Sequence, residues 1–227
     1  MNLTTTYMGF ELPHPVVPGA GPFADKLDTV RRLDPSGDDI LFMTGSDHGM
    51  ETVSEAIDLT ELLIAAGIKA GPESRDVVVA PQGTAATIFF AESARDRVAV
   101  TADFLGRENW AGQVAAGADL ARIGLSAGTS LQVAVAMAVD DRINPHGIAG
   151  HGAIVSDPGD PESKIGFGQH GGLGVHEQNP FLIAEGGGFT ARVETRPTSL
   201  VDIAPTVLRH LRMDHDDMDG QALALDA

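Results

Sequence analysis

The stretch TGSDHGM, Thr44 to Met50, sets an aspartate beside a histidine in a glycine-bordered turn, just after the apolar run Ile40-Leu41-Phe42-Met43. Carboxylate oxygen and imidazole nitrogen are suitable ligands for Zn²⁺, and a chain without cysteine must build any transition-metal site from His, Asp or Glu. His170 lies far downstream in GFGQHGG, where flanking glycines let the backbone pass closely while the imidazole points into a site. Asp47, His48 and His170 therefore read in one of two ways. They are ligands of a metal centre that clamps a phosphoryl group, or they are polar residues of surface loops.

Other constellations carry less chemistry. Gly166, Gly168 and Gly171 satisfy G-x-G-x-x-G, but turn-rich SDPGDPESKI precedes them and GLGVHEQNP cannot start a helix cleanly, so the strand-to-helix context of a dinucleotide fingerprint is missing. In MDHDDMDG a calcium loop would place His215 and Met218 where oxygen ligands are required. Ser199, Asp202 and His210 do not make a hydrolytic triad. The aspartate and histidine share one expected helix, no nucleophile elbow is present, and Asp202 reads as a helix cap. His146 and His151 read as loop residues, His14 lies between two prolines, and His176 and His215 read as surface groups.

The elements that must position these residues follow from pattern. DDILFMTG (38–45) reads as a buried strand delivering Asp47 and His48 at its carboxyl end, where ligands sit in open α/β sheets. IDLTELLIAAG reads as a helix with Asp58 and Glu61 spaced as a capping box and Gly67 as the stop. Strands are expected over 76–80, 85–90, 131–139 and 181–184, a helix from Ser93, and a final helix over 199–211 with Pro205 near its first turn. Residues 140–180 read as one long loop, functional or disordered. The fold class is α/β. With 227 residues and 43% hydrophobic content the chain supports one sizeable core, and a net charge of −17 argues against nucleic acid polymers as partners. No stretch has the apolar length of a membrane span, which gives the expectation of a cytoplasmic protein.

Three segments, GDDILFMTGSDHGM, GFGQHGGLGVHEQNPFLIAEGGGF and PTSLVDIAPTVLRHL with DMDG after it, are similar to the carboxyl-terminal part of type I phosphodiesterases and nucleotide pyrophosphatases of the alkaline phosphatase superfamily, over about Asp38 to Leu225. The resemblance implies that Asp47 and His48 ligate one metal and His170 a second. It implies a partial alkaline phosphatase-like layered fold, a mixed sheet flanked by helices, lacking the family's amino-terminal half. The implied chemistry is metal-dependent hydrolysis of phosphate esters, phosphodiesters or nucleotide pyrophosphates, with zinc as the usual ion, Mn or Mg as alternatives, and a small phosphorylated substrate.

The family's nucleophile and its upstream Asp-x-x-x-His pair have no counterpart before Asp47. Asp25 and Asp28 lack a histidine four positions on, and Thr4, Thr5 and Thr6 are not in the nucleophile context. Met1 to Leu33 instead resembles the opening of dihydroorotate dehydrogenase-type flavoproteins, which divides the chain into a foreign segment (1–33) and a hydrolase portion (34–227) with a junction near Asp34. Impaired activity and self-association through exposed sheet edges are the expected consequences. The alternative is a catalytically inactive metal-binding or assembly fragment. A flavin-dependent protein is the third reading.

Overall fold

The computed structural model describes residues 5–7, 10–12, 40–126, 130–156 and 164–225. His14, Asp25, Asp28 and the junction near Asp34 lie outside them. The order runs β1 (Thr5–Tyr7), β2 (Phe10–Leu12), β3 (Leu41–Gly45), β4 (Glu51–Ile57), α1 (Leu59–Ala65), β5 (Val77–Pro81), β6 (Ala85–Phe90), a 3₁₀ segment (Glu92–Arg97) leading into α2 (Val98–Leu105), and β7 (Ala111–Ala116). After a second 3₁₀ segment (Gly117–Ile123) come β8 (Leu131–Met137), β9 (Val139–Ile143), β10 (Ala149–Val155), β11 (Gly168–Gln169), α3 (Val175–Gln178) and β12 (Leu182–Gly186). A 3₁₀ turn (Leu200–Asp202) then opens α4 (Ile203–His210). The chain is mixed α/β and divides into two compact units, Gly45–Leu182 and the two flanking segments together.

Gly45–Leu182 holds two four-stranded sheets. One is the antiparallel order β5-β6-β8-β7; in the other, β11-β4-β10-β9, β10 runs parallel to β4. Their apolar faces enclose one core in which Leu63, Val77, Ile88, Leu105 and Val133 are completely buried. Each such side chain contributes about 1.5–3 kcal/mol relative to exposure. Helix α1 forms where the sequence indicates: the Asp58 carboxylate accepts the Glu61 amide at 2.9 Å, satisfying one orphan donor of the first turn. Gly67, at φ +70°, ends it.

The expected loop over 140–180 is instead largely structured, since β9, β10, β11 and α3 all fall within it. Two further strands, β4 and β7, carry no clear pattern in the sequence.

Asp76, ahead of β5, shows how this unit handles charge. Burial raises its carboxyl, but hydrogen bonds from the Ser74 hydroxyl, the Arg97 guanidinium and the Val77 and Ala70 amides outweigh that and hold it well below the usual carboxylate range. A depressed folded pKa means the stabilisation is present above the unfolded value and is lost as pH falls through the folded one. Asp76→Asn should therefore lose stability at neutral pH and show a shallower decline on acidification than wild type. Urea midpoints measured at several pH values check this, and parallel acid limbs would refute it.

In the flanking unit, β1 and β2 form an antiparallel pair and β3 pairs with β12. Pro205 falls in the first turn of α4, as expected. Among the described residues of this unit only Pro205 and Thr206 are buried. The Thr206 hydroxyl donates to Asp202 O at 2.6 Å and accepts the Leu223 amide at 2.9 Å. Among the described residues no helix is long and apolar enough to cross a membrane.

Candidate functional site

Two residues after β3 ends, the chain reaches Asp47 and His48, and β4 begins three residues later at Glu51. The turn between is held locally. Ser46 Oγ donates to His48 O at 2.6 Å, and His48 Nδ1 lies 2.8 Å from Gly49 O. A proton on Nδ1 donating to that carbonyl leaves Nε2 with its lone pair free, the state a metal ligand needs. Nε2 stands 3.5 Å from Asp47 Oδ1. The His170 ring stacks on His48, centroids 3.5 Å apart and planes 19° from parallel. Asp47 and His170 thus both adjoin the His48 ring despite their distance in sequence. The Asp47 carboxylate is 83% exposed, so the group opens to solvent.

By type these donors fit a divalent ion such as zinc. Their orientation does not yet form a closed ligand set: in stacked rings the in-plane lone pairs run side by side, so an ion would require a ring to turn. Among the described residues no group of three or more His, Asp or Glu side chains is arranged to hold a metal.

His170 is fixed by backbone rather than by its own side chain. Its carbonyl accepts the Thr84 amide at 3.2 Å. Here the turn Gln82-Gly83-Thr84 and the segment His170-Gly171-Gly172 meet main chain to main chain. A methyl group on Gly83 would overlap His170 O, and one on Gly171 would overlap Gln82 O. Both glycines have positive φ, +67° and +122°. The close passage expected around His170 is therefore present.

Beneath this contact lies an anchor with only a faint sequence signal. Glu177, 2% exposed, accepts the Thr84 hydroxyl at 2.7 Å, the Gly172 amide at 3.0 Å and the Gly174 amide at 3.0 Å. The Gly172 amide also donates to Thr84 Oγ1 at 2.8 Å. Gly49 N donates to Glu177 O at 2.7 Å, so one residue ties the His48 turn to the His170 segment. A glutamate within the glycine-rich run GGLGVHEQ was the available clue, since a lone acid there has many free amides to collect.

The remaining candidates separate from this group. His176 is half-buried rather than a plain surface residue: Nε2 lies 3.0 Å from Asp141 Oδ1 and the ring fills the space a side chain at Gly150 would need. His151 Nδ1 pairs with Arg142 O at 2.9 Å, and His146 sits in the β9–β10 turn with its amide donating to Asn144 Oδ1 at 2.9 Å. Asp202 occupies the expected cap position ahead of α4 but makes no side-chain bond to that helix; its carboxylate accepts the Ser199 amide at 2.8 Å and the Gln221 amide at 2.9 Å instead. His215 Nδ1 lies 3.1 Å from Met213 O. No protein-family model matches the chain, and no curated protein matches it.

Proposed function

We propose that Asp47, His48 and His170 form a divalent-metal site, zinc first with manganese or magnesium as alternatives, serving hydrolysis of a small phosphate ester, phosphodiester or nucleotide pyrophosphate. The resemblance of the S-D-H-G and H-G-G segments to type I phosphodiesterases motivates the reading, including an alkaline phosphatase-like layering of the α/β fold. The observation that carries it is the juxtaposition of His48 and His170, ring centroids 3.5 Å apart with Asp47 beside them, from which turning one ring would bring both imidazoles to a shared ion. A bound ion would polarise a phosphoryl oxygen and stabilise the charge that develops on it. Gly49 O orients the His48 ring, and the exposed Asp47 carboxylate supplies an oxygen ligand on the solvent side. Ser46, the adjacent hydroxyl, donates to the His48 carbonyl rather than to a base that would activate it, and the proposed nucleophile is water. That same engagement favours a second reading, metal binding without turnover.

Zinc titration by calorimetry, together with a chromogenic phosphodiester assay, tests both readings on wild type, His48→Ala and His170→Ala. The expected result is zinc-dependent turnover lost in both variants, with affinity falling by more than the ~10–100-fold typical of an outer-shell partner. Zinc binding without turnover leaves only the second reading. A wild-type protein that binds no divalent ion overturns both.

A further inference from the structure

Glu51, the first residue of β4, is 1% exposed, and neither carboxyl oxygen has a hydrogen-bond partner. Its place is made by glycines. A methyl group on Gly174 would overlap Glu51 Oε1, and one on Gly152 of β10 would stand 3.0 Å from Oε2. Glu177 accepts the Gly174 amide, and its carboxylate is saturated by two amides and a hydroxyl, an environment that holds negative charge. A second bare carboxylate here would face that charge with only the His176 ring and amide nearby to oppose it, and without a formed hydrogen bond to offset its desolvation. A neutral acid costs far less.

We propose that Glu51 and Glu177 form a one-charge pair, Glu51 protonated and Glu177 ionised, and that loss of the Glu51 proton loosens the 170–174 segment anchored on Glu177. The groups around Glu51 act in the same sense. Burial pushes its carboxyl up, and Glu177 and then Asp140 on β9 push the same way, while the His176 ring and amide oppose them. Asp140 is itself paired with Arg142 at 2.8 Å, and His176 Nε2 lies 3.0 Å from Asp141 Oδ1. His151, beside Asp140, belongs to the same surface. Because the folded pKa lies above the unfolded one, the linkage is opposite to that of Asp76. Stability is full below the unfolded value and declines as pH rises toward the folded one. The pair itself needs no metal at His48 and His170 to form, and its pH series is run without added metal.

Denaturant unfolding followed by fluorescence of Trp110, across pH 5 to 9, tests the pair in wild type and Glu51→Gln. The midpoint of Glu51→Gln should exceed that of wild type by a margin that widens with pH. Exchange of the Gly172 and Gly174 amides, corrected for intrinsic rate, should quicken with pH in wild type alone. Should Glu51→Gln fold poorly, Glu177→Gln serves instead: removing one source of repulsion should flatten the pH slope whatever its midpoint. A constant offset between variants at all pH values, or unchanged exchange at residues 172 and 174, overturns the proposal. So does a rise in the wild-type midpoint on adding Ca²⁺ or Mg²⁺ that Glu51→Gln lacks, because the pair would then be a charged cation site.

Discussion

Gly171→Ala is expected to lower the unfolding free energy by roughly 3 kcal/mol or more, the combined size of a disfavoured φ and a forced overlap. The new methyl group would meet Gln82 O, a main-chain atom that cannot swing aside. Relief requires the Gln82-Gly83-Thr84 turn and the His170 segment to part, which also breaks the bond from Thr84 N to His170 O. Gly67→Ala provides the comparison. It too has positive φ, +70°, but nothing lies within 4 Å of its added carbon, so only the backbone term remains, about 1 kcal/mol. Trp110, the sole tryptophan, packs against the core and reports both unfolding transitions. Equal losses in the two variants would mean that the close approach at Gly171 is not what demands glycine.

Glu177→Ala should be damaging for a different reason. It strips a charged acceptor from three buried donors, where each hydrogen bond to a charged group is worth about 1.5–3 kcal/mol. Some recovery is available, because the Gly172 amide keeps Thr84 Oγ1 as a partner. A net loss of roughly 3–5 kcal/mol is expected, the range for breaking a buried charged network. Thr84→Ala alone should cost less, and the two changes together should fall short of their sum by about 1 kcal/mol, since they share one network. Urea unfolding of the four proteins in that cycle measures the coupling. Strict additivity, or a loss under 1 kcal/mol in Glu177→Ala, would remove Glu177 from its role as anchor.

The parts of the fold that follow elementary patterns were legible in the sequence. Helix α1 announces itself through Asp58, Glu61 and Gly67, and β5, β6 and β8 through runs of Val, Ile and Phe. Strand β10 was hidden, and the reason is physical. Its sequence AGHGAIV looks like a turn because Gly150 and Gly152 gave up their side chains, one to the His176 ring and the other to the Glu51 carboxyl. Strand β4, ETVSEAI, was hidden by the same arrangement from the other side, since its first inward-facing residue is an acid rather than an aliphatic. At the candidate site the residue types and the glycines around His170 could be read in advance. Thr84 and Glu51 could not, because their importance lies in partners distant in sequence, and Glu177 left only the faint clue of an acid among glycines.

The parallel ladder of β4 and β10 has a price in chain entropy. Ser54 Oγ reaches Gly152 O across a separation of 98 residues, and closing so long an excursion carries a logarithmic term of roughly 4 kcal/mol. The antiparallel sheet β5-β6-β8-β7, which lies between those strands in the chain, is built from nearer neighbours and, once assembled, takes up much of that excursion. The two imidazoles lie outside the ladder in the chain, His48 ahead of β4 and His170 after β10, so their approach to one another depends on that long closure.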